Sequence, residues 1–180
     1  MFGIIHSELK GYVETRYDLA TWEALLEKAG LPGKAYLAGQ PYPDSEIVAI
    51  VTTACHMTGR SMAEILEDFG TYLTPALVRT YRAFIKPQWR TLDFLEHTEQ
   101  SIHKAVRIRD RGAEPPALHV SRVRPTEVVI EYSSPRRMCA VARGIAQGVA
   151  DHYGERVTIT DRACMLRGDA SCLISVALKG

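Results

Sequence analysis

The sequence predicts an α+β fold: a helical N-terminal subdomain followed by a small antiparallel sheet with one long helix. Three observations lead there. Before residue 112, apolar residues recur at three- and four-residue intervals, the signature of amphipathic helices. After Pro115-Pro116 the period shortens to two in several short runs rich in β-branched residues. A single later segment, Met138 to Tyr153, returns to helical spacing. The expected extents are about 1–112 for the helical part and about 116–180 for a β-β-α-β-β part. With no repeat, low-complexity tract or flexible linker between them, the two are read as one domain.

The elements follow in order. Thr21 to Gly30 carries Trp22, Leu25, Leu26 and Ala29 on one side and closes on a glycine suited to a helix end. Asp44, after Pro43, is placed to cap a helix through Ile47, Val48, Ile50, Val51 and Ala54. Ser61-Met62-Ala63-Glu64 fits a capping box opening a helix with Ile65, Leu66 and Phe69. A long helix is expected from Thr91 to Arg111, striped by Leu92, Leu95, Ile102 and Val106 and stopped by Gly112 and the prolines. Leu118–Val123 and Glu127–Tyr132 read as strands joined by a turn at Arg124-Pro125-Thr126. Arg156–Thr160 and Cys172–Leu178 read as two more, joined across Gly168-Asp169.

Composition narrows the function. Of 180 residues, 46% are hydrophobic and 24% charged, a globular balance. Lysine plus arginine exceeds the acids by 22 − 21 = 1, which argues against a general nucleic-acid partner. No run of 18 apolar residues and no secretory layout at the N-terminus leave a chain expected to be cytoplasmic and free of membrane. Four cysteines then suggest thiol or metal chemistry rather than a disulfide scaffold. No phosphate-binding glycine loop or hydrolase arrangement appears, so no enzymatic activity is expected.

The segment Glu131-Tyr132-Ser133-Ser134-Pro135-Arg136 carries the most chemistry. In an extended chain alternate residues share a face, so Tyr132, Ser134 and Arg136 would project together. Two hydroxyls and a guanidinium suit a carboxylate or phosphate, although a polar sheet edge would look the same. His103, between Ile102 and Val106, lies at the border of an apolar stripe, where a histidine is either a core residue or a ligand. A planar ligand with an anionic rim and a metal centre would use both features at once.

These residues resemble the H-NOX (haem-nitric oxide/oxygen binding) domains, kin to the haem domain of soluble guanylate cyclase, in their bacterial stand-alone form. The resemblance runs over nearly the whole chain. It implies haem b (iron protoporphyrin IX) as cofactor, His103 as axial iron ligand, and Tyr132, Ser134 and Arg136 as the propionate clamp. Pro116, thirteen residues after His103, would pack on and distort the haem. Ile5, Val141 and Ile145 would line the pocket. The spacing from Phe94-Leu95 to His103 is a residue longer than in relatives, which makes His97 a competing ligand. The two lie six apart, about 600° around a helix, and cannot share the role. The spacing to Pro116 favours His103. His6, His56, His119 and His152 read as surface or packing residues.

Family members that hold oxygen carry a distal tyrosine where this chain has Val141. The resemblance therefore implies a nitric oxide sensor that also takes carbon monoxide and binds oxygen poorly, with Tyr72 and Tyr81 as other tyrosines within possible reach. Nitric oxide would break the iron–His103 bond, relax the haem and shift the packing at Pro116, passing a signal to a sensor histidine kinase or a cyclic-di-GMP enzyme. Relatives also place a four-cysteine zinc site around the Met138 helix. Here Cys139, Cys164 and Cys172 are present, but the fourth position is Val141 or Arg167, which leaves open zinc completed by His152, Asp161, another nearby side chain or a water, and three reduced thiols sensitive to oxidation. Cys55 reads as core.

Overall fold

In the computed structural model the described residues are 1–110 and 112–180; the expected helix end at Arg111 lies outside them. Six α-helices precede the sheet: α1 (Gly3–Arg16), α2 (Leu19–Lys28), α3 (Asp44–Thr58), α4 (Met62–Tyr81), α5 (Thr91–Thr98) and α6 (Lys104–Arg109). They are followed by β1 (Ala117–Arg124), β2 (Glu127–Ser133), α7 (Cys139–His152), β3 (Val157–Ala163) and β4 (Cys172–Leu178). The four strands form one antiparallel sheet in the order β1-β2-β4-β3. This is the expected α+β architecture. Among the described residues no helix is long and apolar enough to cross a membrane.

Local chemistry explains most boundaries. Ser61 and Glu64 form the reciprocal capping box that opens α4. Asp18 caps α2, accepting from the Thr21 N–H at 2.7 Å, so that helix starts two residues earlier than its apolar stripe suggested. Helix α1 has no side-chain cap and no acidic residue in its first turn, and it was not legible as a helix. Tertiary bonds hold its start instead: Gly3 N–H and Ile4 N–H donate to the carbonyls of Gln40 and Ala38.

Two expectations need correction. Asp44 does not cap α3: it lies inside the first turn, Pro43 occupies the cap position, and no side-chain cap bond forms. Its carboxylate is drawn instead to two cations, the Met1 ammonium and the Arg136 guanidinium. The helix expected over 91–111 is broken into α5, a π-helical turn over Glu99–His103, and α6. A π turn absorbs one extra residue in a helix, which accounts physically for the longer spacing ahead of His103.

The core has two lobes. One lies among α1–α4, around Phe69, Ile47 and Leu73. The other is clamped between α7, α5 and one face of the sheet, around Val128, Ile174 and Val149. Helices α4 and α7 join them through a close crossing at glycines. An added Cβ at Gly144 would stand 1.9 Å from the Glu67 carbonyl oxygen, and one at Gly70 2.4 Å from that of Val141.

Candidate functional site

Between the two lobes lies a cavity lined almost wholly by apolar side chains from α1, α4–α6, β1, β2 and α7. His103, Tyr132, Ser134, Arg136, Pro116, Ile5, Val141 and Ile145 all border it. Simple strand alternation does not bring the Tyr132-x-Ser134-x-Arg136 set together, because β2 ends at Ser133. Beyond it the chain turns: the Arg137 N–H bonds the Ser134 carbonyl at 3.1 Å, and Arg137 takes a left-handed φ of 52°. Ser134 Oγ accepts the Arg136 backbone N–H at 3.2 Å, which fixes the turn. One terminal nitrogen donates to the Glu114 carbonyl at 2.6 Å. Arg136 Nε lies 2.8 Å from Asp44 Oδ2, off the direction of its N–H, so this buried donor has charge compensation and no hydrogen bond.

His103 leaves the π turn with its ring at the cavity wall and 14% of its side chain exposed. Its Nδ1 is 2.9 Å from Glu99 Oε2. A carboxylate can only accept, so the proton sits on Nδ1 and the Nε2 lone pair remains for the cavity. Burial lowers the His103 pKa and keeps the ring neutral, the effect of Glu99 being smaller. Burial raises that of Glu99, but Arg107, at 2.6 Å, and His103 outweigh it and hold the carboxyl below its usual range. The Leu118 N–H also donates to Glu99, at 3.3 Å. His97 does not border the cavity: its ring stacks on Trp89 with centroids 4.8 Å apart, and its Nδ1 bonds the Asp93 carbonyl.

Val141 and Ile145, also in the cavity wall, offer no donor. Tyr72 is turned toward Thr15 and Tyr12, outside the cavity. Tyr81 does border it, but its hydroxyl neighbours the Asp110 carboxylate. Thr74 and Thr98, also in the wall, donate to the carbonyls of Gly70 and Phe94 at 2.9 and 2.8 Å. The two threonine hydroxyls of the cavity therefore already have acceptors. His6 is fully buried beside Ile5 and stacks on Tyr36, a packing role, whereas His56, His119 and His152 are exposed.

Behind the clamp, Cys139, Cys164 and Cys172 converge, all buried, with Cys164 Sγ 3.7 Å from Cys139 Sγ and 3.8 Å from Cys172 Sγ. Burial pushes the Cys139 thiol up to about 12, and its two sulfur neighbours add to this. Burial also raises Cys172, whereas in Cys164 burial is outweighed by the Leu166 N–H and the neighbouring thiols, and its pKa is lowered. Cys55 is half-buried against the α1–α4 core.

The family model described as Haem-NO-binding matches residues 2–161. The chain belongs to the Haem-NO-binding family. An H-NOX protein from S. oneidensis in the Fe(II)NO ligation state superposes with a TM-score of 0.94 at 24% identity, covering 100% of both chains. The Fe(II)CO form of a Shewanella oneidensis H-NOX domain gives 0.89 at 24%, covering 100% of this chain and 99% of that one. An unliganded Fe(II) H-NOX mutant from K. algicida gives 0.90 at 20%, over 100% and 97%. The soluble guanylate cyclase gcy-31 of Caenorhabditis elegans is 20% identical over 139 residues, 76% of this chain; the match spans about a fifth of that relative's length, 20%.

Haem-NO-binding domains are haem-based gas sensors, and the residues of this member fit a haem. The fit is seen in the neutral imidazole with its free Nε2, the apolar walls, and the buried Arg136 Nε–H that lacks an acceptor at the polar rim. A closed zinc centre fits less well. It needs four ligands, and among the described residues no other His, Cys, Asp or Glu joins the three sulfurs. Asp161 Oδ2 pairs with Arg143 at 2.9 Å while its Oδ1 is buried without a partner, and exposed His152 packs on Tyr153. Glu99 and Asp44 are the functional neighbours that the sequence reading missed. Glu99 lay one helical turn before His103, a visible signal; the Asp44–Arg136 pair, 92 residues apart, had none.

Proposed function

We propose that this chain is a haem-based nitric oxide sensor in which His103 is the axial ligand and Tyr132, Ser134 and Arg136 hold the propionates. The observation that carries the reading is the joint placement of a neutral, carboxylate-anchored imidazole and the Tyr-Ser-Arg rim on one apolar cavity. When bound, haem b would be held by His103 and the Tyr132, Ser134 and Arg136 rim and would supply an iron able to take a diatomic gas. The protein's part is to hold or release His103. The π turn and α6 are anchored to β1 through the Leu118–Glu99 bond, so movement of His103 is passed to Pro116 and the sheet. The output is a population shift read by a partner, for which a sensor histidine kinase or cyclic-di-GMP enzyme is proposed.

Selectivity follows from the distal wall. Oxygen is retained best where a donor reaches it; the hydroxyls of Thr74 and Thr98 are already directed at other acceptors, and that of Tyr81 lies by the Asp110 carboxylate. Nitric oxide and carbon monoxide need no such help. Absorption spectra of the reduced protein are expected to show five-coordinate iron without the histidine after nitric oxide, a six-coordinate carbon monoxide complex, and no persistent oxygenated spectrum in air. A stable oxygenated spectrum would refute the selectivity; failure to take up hemin at all would refute the haem reading. Val141→Tyr adds a hydroxyl at the distal wall and is expected to lengthen oxygen retention by at least about tenfold, one good hydrogen bond of roughly 1.4 kcal/mol.

Glu99 should set the strength of the axial bond. Glu99→Gln keeps the size but removes the anionic acceptor for His103 Nδ1, and loss of such partners typically costs about 10–100-fold in metal affinity. The expected result is a lower iron–histidine stretching frequency by resonance Raman and faster histidine release on nitric oxide addition. An unchanged frequency would show that Glu99 does not act on the ligand.

A further inference from the structure

A second cavity lies within the N-terminal lobe, at the end where α1 and α3 finish and α2 and α4 begin. It shares no lining residue with the gas cavity, and gas sensing makes no use of it. Its walls are Leu9 and Val13 of α1, Leu25 of α2, Ile50 and Val51 of α3, and Ile65 of α4, each at most 5% exposed. The lining runs from Leu9 to Tyr17 at the end of α1 and from Ile50 to Thr58 along α3, a length of about 12 Å on either helix. The cavity reaches the surface at Tyr17 and Met57, which are 54% and 40% exposed.

The mouth is apolar and cationic together. Leu19 and Met62, which open α2 and α4 at this end, are exposed as well, so four large apolar side chains stand open to solvent at one end of the lobe. Clustered exposed apolar surface of this kind marks a binding region rather than chance. Arg16 and Arg60 share the single Asp68 carboxylate, at 2.8 and 3.4 Å. Arg60 reaches the Glu64 carbonyl only at 3.4 Å and lies beside the Tyr12 hydroxyl. Both of its 3.4 Å contacts are longer than an ordinary N–H···O bond, so this guanidinium, in the cavity wall, has donors to spare. Two further carboxylates at this end are committed: Asp18 caps α2 and Glu64 closes the capping box of α4, each against the positive end of a helix dipole.

We infer that this cavity binds a single-chain amphiphile with an anionic head, of the medium-chain fatty-acid class. The alkyl chain lies between α1 and α3, among Leu9, Val13, Ile50 and Val51, and the carboxylate meets Arg60 at the mouth. Arginine suits that head because its fork matches both carboxylate oxygens. The buried walls suit the chain, since each methylene removed from water strengthens binding roughly fourfold. Tyr17 and Met57 cover the methylenes next to the head.

The test is calorimetric titration of the hemin-loaded, carbon monoxide-bound protein with decanoate below its micelle concentration, with methyl NMR to locate the ligand. The expected result is one decanoate per chain, shifting the methyls of Val13, Leu25, Ile50 and Val51 and leaving those of Val141 and Ile145 unmoved. Butyrate, with the same head, should bind at least about 100-fold more weakly. Decanol, with the same chain, should bind at least about tenfold more weakly, and Arg60→Gln should cost decanoate a similar factor. Ala54→Phe, which fills the cavity, should abolish binding; both variants are checked for native near-ultraviolet circular dichroism. Decanol bound as tightly as decanoate, binding unchanged in both variants, or shifts confined to the gas-cavity methyls would overturn the site. Retention on phosphatidylglycerol vesicles without saturable decanoate binding would overturn it too and make this end a membrane contact. A chain that takes no hemin is titrated as purified: the same decanoate result would then remove the gas-sensor reading and support this site.

Discussion

His103→Gly is expected to abolish haem retention during purification, and added imidazole is expected to restore it. Three features make this loss larger than that of any other wall residue. His103 is the one cavity-bordering imidazole among the described residues. Its Nδ1 proton is engaged by Glu99, so the ring is oriented and its Nε2 is presented without a rotameric search. Burial keeps it neutral and ready to ligate. Removing a ligand outright should cost more than the roughly 10–100-fold lost with a supporting partner, and the space vacated by the ring is where free imidazole would enter. His97→Gly is the matched control. That ring is stacked on Trp89 away from the cavity, so the variant should keep haem and lose only surface packing. The measurement is the Soret-to-protein absorbance ratio of each variant, with and without imidazole. Equal haem loss from both variants, or retention by His103→Gly without imidazole, would remove the axial assignment.

Gly144→Ala is expected to be the most disruptive single methyl in the molecule. The new Cβ would stand 1.9 Å from the Glu67 carbonyl oxygen, 2.8 Å from its carbon and 2.9 Å from Gly70 Cα, all backbone atoms that no rotamer change can move. Relief requires α4 and α7 to separate, and that crossing joins the two core lobes. Overpacking costs about 1–3 kcal/mol and more where the backbone must shift. The expected loss is therefore at least about 3 kcal/mol, a fall in Tm of roughly 6–12 °C for a chain of this size. Because Val141 and Ile145 flank Gly144 on α7, the distal wall should move as well, visible as a shifted carbon monoxide stretch. Gly11→Ala offers the contrast. Its Cβ would meet only the Tyr72 hydroxyl at 3.1 Å, at the end of a side chain that can yield, so its effect should stay below about 1 kcal/mol. A Gly144→Ala variant melting within 2 °C of the parent, a margin well inside roughly 1 kcal/mol, would show that the crossing is looser than described.

The strands and most helices were legible because their determinants are local. The Ser61–Glu64 box, the switch of period after Pro115-Pro116, and the alternation in Glu127–Tyr132 each act over a few residues. Helix α1 was not legible, because its ordering depends on contacts to the loop at 37–42 rather than on a cap. Asp44 misled for a related reason: a carboxylate after a proline resembles a cap, but the pull of two cations decides where it points.

Periodicity and turn chemistry were enough to determine the α+β class, the order of the strands and α7, and the apolar character of Val141, while the residues expected at the cavity came from the resemblance of their motifs to the H-NOX family. These are properties of residue type and short-range geometry, which a linear string carries. Tertiary structure alone decided that the ligand-bearing helix breaks into a π turn, that Glu99 anchors His103, that Arg136 faces Asp44 across 92 residues, and that three cysteines meet without a fourth. Each depends on which distant groups compete for a buried proton, charge or sulfur, and that competition is settled only when packing removes water and brings the competitors within reach.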